Sequence, residues 1–460
     1  MSIQIKNKLK IFSVLLIFST IISFCFGFYF NETATNGYVD LNWIKKNIKI
    51  FLDNNLIEAI KHPEYFGNRT PLMYILHILI NPFIENIYYY RISVFLFSIT
   101  APFLFYLCLK KKFDNSENIL LVLISSTILL SPYFRSSAIW GLEENYAIIF
   151  TFLSFLSLNI FLYGNLKNYF LQYLIIFAVA LSSSMCIYFD QKFLLIPIIS
   201  FISVVFSDTR LRFKVLLFLF YAIFALPYIY LFSIWGGINP PLTAAENPNA
   251  ITKISRISNL YFAHIGYSIT MIAFYLFPLI FFMKKNLKEH FKDLIYSKIN
   301  YFLIFIFSLY LIYLIIFFDY ERFTTVNYWI GLGYIHKISL LLFKENFILQ
   351  KVFTLFSFTT CWIILMLFIN SKIQNLLIIF YFLVLSIFLW PLMQEYFDPL
   401  IIILSFLFFY NKLDINYKNC LFLYFYLLIF FIGVAIYYSG PPIESSHPKL
   451  SKIEFLTNNY

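Results

Sequence analysis

Charge is what this sequence has least of. Of its 460 residues only 12% are Asp, Glu, Lys or Arg, whereas 61% are hydrophobic, and long stretches carry no charge at all. A soluble domain of this length is not built from that composition. Glycine is scarce as well, at 12 residues, and no internal repeat is visible. Both absences speak against a repeat-built transporter whose Gly- and Pro-broken helices surround a midplane site. The five cysteines, Cys25, Cys108, Cys186, Cys361 and Cys420, fall in or beside apolar runs with no pairing pattern, so neither a disulfide framework nor a zinc site is indicated. No two histidines stand at a metal-ligand spacing such as HExxH.

What remains is apolar sequence in lengths of about 20 residues, enough for a helix to cross a hydrocarbon core of about 30 Å with its backbone satisfied internally. The pattern predicts an all-α, polytopic membrane protein with thirteen spans, in a range of 11–14, near 11–30, 88–109, 118–134, 145–163, 170–188, 193–207, 215–234, 259–283, 299–318, 352–370, 376–393, 396–410 and 419–438. Residues 1–438 read as one transmembrane domain and 439–460 as a short tail. The first run follows Lys6, Lys8 and Lys10, but it is longer than a cleavable signal core and lacks a small-x-small cleavage site, so it reads as a retained anchor.

Orientation follows from the basic residues. With the N-terminus in the cytoplasm, the inner segments hold 18 of the 34 Lys and Arg but only 6 of the 23 Asp and Glu. This asymmetry is the one that the positive-inside rule expects. The formal net charge of +11 therefore orients the chain in lipid and calls for no nucleic-acid partner.

The outer side then carries three long, chemically mixed segments, 31–87, 235–258 and 319–351, and loops held on a rigid scaffold are where function concentrates. In the first, Leu41, Ile44, Ile48, Phe51, Leu52, Leu56 and Ile60 recur at helical spacing opposite Lys45, Lys46, Lys49 and Asp53, which predicts an amphipathic interfacial helix over 41–60. Residues 71–83 are apolar but too short to span, which predicts a second helix lying against the membrane.

The order of elements carries a resemblance. A first span, an outer loop with an early acid at Asp40, two interfacial helices joined through His62-Pro63 and Arg69-Thr70-Pro71-Leu72, and Arg91 opening the next span together resemble the GT-C superfamily of integral-membrane glycosyltransferases. Downstream, SPYFRSSAIWGLEENYAIIF places Glu144 where family members often carry an acid before a helix, and QEYFDPL resembles their aromatic-Pro start of a late helix. WGGINPP with NLYFAHIGYSI is similar to a region of eukaryotic dolichyl-phosphate-glucose α-1,2-glucosyltransferases. The resemblance covers most of the chain and implies a superfamily, not a substrate.

It implies transfer of a sugar from a polyprenyl-phosphate carrier to a glycan, lipid or protein acceptor, with inversion. One carboxylate suffices for that chemistry, because phosphate is already a good leaving group and the acceptor hydroxyl needs only a base, whereas a glycosidase needs two. Asp40 is the candidate base; its plainer role is to cap a helix starting near Leu41. Glu144, with Glu143 before it, either completes a helix N-terminus or faces the site, where it can orient the acceptor or help hold a divalent cation through oxygen ligands. Arg256, Arg322 and Lys337 are the candidate donor-phosphate ligands, with Arg69 and Lys192 behind them; such residues otherwise serve as interfacial anchors. His62, Arg69, Glu143 and His264 are further candidate substrate contacts, and Trp43, Trp140, Trp235 and Trp329 can stack on sugars or form an aromatic belt. The expected location is the inner membrane of a prokaryote, with the site facing the periplasm or the cell exterior. The alternatives are a lipid-linked-glycan flippase or transporter and an envelope polysaccharide polymerase.

Overall fold

The computed structural model describes residues 3–34, 37–67, 69–164, 167–246, 261–283, 292, 298–321, 331–344, 346–371, 374–389, 391–409 and 413–439. Among these residues the protein is helical throughout and holds no β-strand. Each of the thirteen apolar segments contains helix, and among the described residues nine helices are long and apolar enough to cross a membrane: Gln4–Tyr29, Ile87–Lys112, Glu144–Tyr163, Tyr169–Phe189, Leu211–Trp235, Ala263–Phe282, Lys298–Phe317, Phe347–Ile369 and Tyr417–Tyr438. A tenth crossing requires the bent pair Asn118–Leu130 and Pro132–Trp140, whose axes differ by 66°. The remaining three segments are shorter than a crossing: Gln191–Val205, Asn375–Phe388 and Leu400–Leu407.

The bend has a local cause. Proline at 132 supplies no N–H to continue the ladder, and Ser131 caps the new helix by accepting from the Phe134 N–H at 3.0 Å.

The chain divides into two compact units, one running to Thr243 and joined by the helix from Tyr424 on, the other spanning Ala244–Leu423. In the first unit α1 (Ile3–Tyr29) is followed by three short helices, α2 (Gly37–Asp53), α3 (Leu56–Lys61) and α4 (Leu72–Ile80). Next come α5 (Ile87–Ser98) with α6 (Thr100–Lys112), the bent α7 (Asn118–Ser126) with α8 (Pro132–Trp140), then α9 (Glu144–Tyr163), α10 (Tyr169–Phe189), α11 (Leu195–Val205), α12 (Leu211–Trp235) and α13 (Pro241–Glu246). The second unit holds α14 (Ala263–Leu276), α15 (Lys298–Phe317), α16 (Gly333–Phe343), α17 (Phe347–Ser371), α18 (Gln374–Phe388) and α19 (Leu400–Leu407); α20 (Tyr417–Ser439) is the last helix among the described residues. In the crossing window that starts at α14, 78% of residues are buried, against 11% in α12. The former is the centre of its unit; the latter presents a ring of apolar side chains, such as Phe218, Ile223 and Leu226, for lipid.

The interfacial helix expected over 41–60 is two helices. α2 ends at Asp53, and Asn55 starts α3 afresh by accepting from the Glu58 N–H at 3.1 Å. Leu41, Ile44, Ile48, Phe51 and Ile60 are buried as the periodicity predicts, and Lys45, Lys46, Lys49 and Asp53 are exposed. Leu52, in the last turn of α2, and Leu56, which opens α3 after the break, are exposed instead. The second expected helix is α4.

Candidate functional site

The site is assembled on the segment that follows α1. There a buried clamp fixes the chain. Arg135 of α8 donates to both carboxylate oxygens of Glu32, at 2.7 and 2.5 Å, and Trp140 Nε1 donates to the Glu32 carbonyl at 2.9 Å. Arg91 at the start of α5 donates to the Ile139 carbonyl at 2.8 Å and to Asn31 Oδ1 at 2.6 Å, its guanidinium lying 4.6 Å over the Trp140 ring. The arginine that the resemblance singles out is thus a scaffold residue. Gly37, the first residue of α2, meets the Trp140 ring so closely that a Cβ would lie 2.7 Å from it. That contact seats the first turn of α2, which carries Asp40, against α8.

Asp40 is therefore not the cap of its helix, because α2 begins at Gly37, three residues earlier. Its carboxylate makes no hydrogen bond or ion pair among the described residues, and it is exposed to solvent. Yet enough protein surrounds it that desolvation, reinforced by the charge of Glu144 and opposed by Arg69, raises its pKa from 3.8 to about 6.

Arg69 is the hub beside it. The loop carrying it is pinned from two directions. Asn47, wholly buried on the inner face of α2, donates to the Phe66 carbonyl at 2.5 Å and to the Tyr74 hydroxyl at 3.0 Å, and accepts from the Phe66 N–H at 3.3 Å. Trp43 stacks on Phe66 at 4.1 Å, and the Thr70 hydroxyl donates to the Tyr188 carbonyl at the end of α10. So held, Arg69 reaches three carboxylates: Glu143 at 3.3 Å, Glu144 in a shorter contact, and Asp190 at 3.7 Å. Lys192 pairs with Asp190 at 3.0 Å, and Ser137 of α8 donates to Glu144 at 2.9 Å. Glu144 opens α9 and Asp190 closes α10, so the hairpin of these two packed helices brings the carboxylates to one end. Gly141, in the left-handed region at φ 75°, ends α8 and turns the chain toward Glu143 with the Tyr90 ring packed against it.

The electrostatics are uneven. Four carboxylates, Asp40, Glu143, Glu144 and Asp190, share two cations. Desolvation of Glu143, with the repulsion of Glu144 and Asp190, outweighs Arg69 and lifts it from 4.5 to about 7. Near neutral pH Glu143 is thus partly protonated, beside an ionised Asp40. His77 of α4, buried, contacts the Tyr146 hydroxyl at 2.9 Å and Asn81 at 3.0 Å; burial lowers it to about 4, which leaves it neutral.

Of the residues expected from the sequence, the fold brings Asp40, Arg69, Glu143 and Glu144 together, with Lys192. His62 does not join them: it ends α3, and its Nδ1 accepts from the Glu64 N–H at 3.2 Å. His264 and Lys337 belong to the second unit, where His264 is buried with its Nδ1 3.2 Å from the Ser386 carbonyl. Arg256, Arg322 and Trp329 lie outside the described residues. Trp140 and Trp235 are buried and donate to the Glu32 and Ile60 carbonyls, which gives them structural roles. The missing member of the expected set was Asp190. Its signal is the pair Asp190-Gln191-Lys192 at the mouth where two apolar runs meet, a placement that ionisable residues rarely take without a partner. Among the described residues no three His, Cys, Asp or Glu side chains are grouped to hold a metal ion; Arg69 stands between the carboxylates instead. Comparison of the chain with protein-family models, with curated proteins and with solved structures returns no match.

Proposed function

We propose that the protein is a membrane glycosyltransferase of GT-C type that moves a sugar from a polyprenyl-phosphate carrier to a glycan, lipid or protein acceptor at the outer face of a prokaryotic inner membrane. The observation that carries the reading is Asp40: an exposed carboxylate in the first turn of α2 that makes no hydrogen bond or ion pair among the described residues, lies within the fields of Glu144 and Arg69, and has a pKa of about 6. A base of that strength is ionised at neutral pH yet retains proton affinity, the compromise general base catalysis favours. Asp40 takes the acceptor hydroxyl's proton as its oxygen attacks the anomeric carbon. The bond from that carbon to the phosphate oxygen breaks with inversion, and the polyprenyl phosphate leaves with the electron pair. Arg69, whose charge acts on Asp40, and Lys192, paired with Asp190, are the candidates for the donor phosphate. Glu144 orients the acceptor; a divalent cation at that position is tested by adding EDTA, which leaves transfer intact if Arg69 alone serves.

The outer placement is supported by α1. Its first turns lie beside Glu117, paired with Lys6 at 2.6 Å, and its far end meets Arg135, so the acidic cluster and the basic N-terminus belong to opposite ends of this helix. The deciding experiment is mass spectrometry of envelope glycans from a deletion strain complemented with wild type or Asp40→Asn at matched membrane abundance. One sugar missing in the deletion and restored by wild type alone is the expected result. Full restoration by Asp40→Asn removes the base, and accumulation of intact lipid-linked precursor with no missing sugar replaces transfer by flipping or polymerisation.

A further inference from the structure

The polar side chains of the second unit gather where α14, α16 and α17 pack together. His336 of α16 is wholly buried, and among the described residues neither of its ring nitrogens has a hydrogen-bond partner. One turn on, and so on the same helix face, Ser339 lies 3.3 Å from the Tyr320 hydroxyl, to which Thr354 of α17 donates at 3.5 Å. Tyr267 of α14 stands edge-on to the imidazole, ring centroids 6.3 Å apart and planes at 87°, with its own hydroxyl adjacent to Tyr320 and Thr354. The packing that forms this wall depends on Gly266, where a Cβ would lie 2.1 Å from the Phe358 ring.

Two features define what these groups fit. Burial, with Lys337 beside it, lowers His336 to about 3, so at neutral pH the imidazole is uncharged and offers one N–H donor and one acceptor nitrogen. The four hydroxyls around it are likewise uncharged and can each donate and accept. Native interiors leave few buried atoms like the two His336 nitrogens unmet, and a phosphate or carboxylate would find no ionised partner among these five side chains.

We propose that His336, Ser339, Tyr320, Thr354 and Tyr267 form a binding site for a neutral sugar ring. Sugar hydroxyls, donor and acceptor at once, complete both imidazole nitrogens, and Tyr267 supplies an aromatic edge to the ring's apolar C–H groups. The site does not depend on the role of Asp40, and either assignment can fail alone.

The test is cysteine accessibility in the purified full-length protein. Ser339→Cys, and independently Thr354→Cys, are treated with a neutral hydroxyethyl methanethiosulfonate, and the labelling of the parent chain with its five native thiols is subtracted. Methyl glycosides of glucose, galactose, mannose and N-acetylglucosamine serve as competing probes. The expected result is labelling by the neutral reagent that at least one glycoside slows; at ten times its Kd the free fraction, and the rate with it, falls about tenfold. His336→Phe in the same backgrounds, still monodisperse, abolishes the protection. Cysteines that stay unlabelled, or labelling that none of the four glycosides slows, overturn the proposal and leave a cluster hydrated by water only.

Discussion

The two units solve the burial of polar groups in opposite ways. In the first, six charged residues meet at helix ends, where Glu144 opens α9, Asp190 closes α10 and Arg69 is brought in on a loop. In the second, the polar groups that meet along α14, α16 and α17 are uncharged and fully buried, from His336 to Thr354. Charge is kept where helix termini and water share its cost, while neutral hydroxyls are let into the packed interior because each needs only one or two hydrogen bonds.

The largest expected effect of breaking this contrast is on chemistry. Asp40→Asn keeps expression and membrane insertion but lowers sugar transfer by about 10²–10⁴-fold, the range for a removed general base; a membrane transfer assay with near-normal turnover would refute it. Stability comes next, and there the two clusters should diverge in sign. Arg69→Gln strips three carboxylates of their common partner and should destabilise by about 3 kcal/mol or more, as removal of one member of a buried pair does. His336→Leu removes unmet polar atoms and should be neutral or stabilising in a thermal melt, because the imidazole loses no bond. Equal losses for both variants would erase the distinction between the units.

The pH dependence is subtler and runs in two directions. Activity should rise with pH through about 6 as Asp40 ionises. Stability should move the other way. Asp40 and Glu143 have folded pKa values above their ordinary 3.8 and 4.5, so the folded state binds more protons between those values and about 6 and 7. Their contribution is complete below the lower values and is lost as pH rises through the upper ones. Melting temperature measured from pH 4 to 7 should therefore fall, and fall less in Glu143→Gln. The smallest effect is Asn55→Ala, which removes the cap of α3 and should cost about 1 kcal/mol, with no change in transfer.

How much of this the sequence disclosed varies with the physics involved. Apolar runs have one reading in lipid, so the helices and the buried face of α2 were legible from periodicity, down to Leu41, Ile44, Ile48 and Phe51. The number of crossings was less so: run length does not reveal that Pro132 bends the third segment by 66° or that Leu400–Leu407 stops short. Asp40 was legible from its place in the order of elements, and Glu143, Glu144 and Arg69 from position alone. Their convergence was not, because it depends on Asn47, an ordinary polar residue within an apolar stripe that nothing in the pattern marks as the pin of the 62–71 loop. Asp190 escaped for a related reason, since its partner Arg69 lies 121 positions away in the chain.

Arg135 adds a constraint on assembly. Besides Glu32 it serves the Leu129 carbonyl at 3.2 Å, just before the bend, and the Ser23 carbonyl of α1 at 2.9 Å, with the Phe431 ring 4.5 Å away. Until Glu32 arrives, this guanidinium has no counter-charge, and its hydration cannot be given up. The bent third segment and the chain after α1 therefore depend on each other for the pairing of a buried charge, which ties the segment leading to Asp40 to helices α1 and α8.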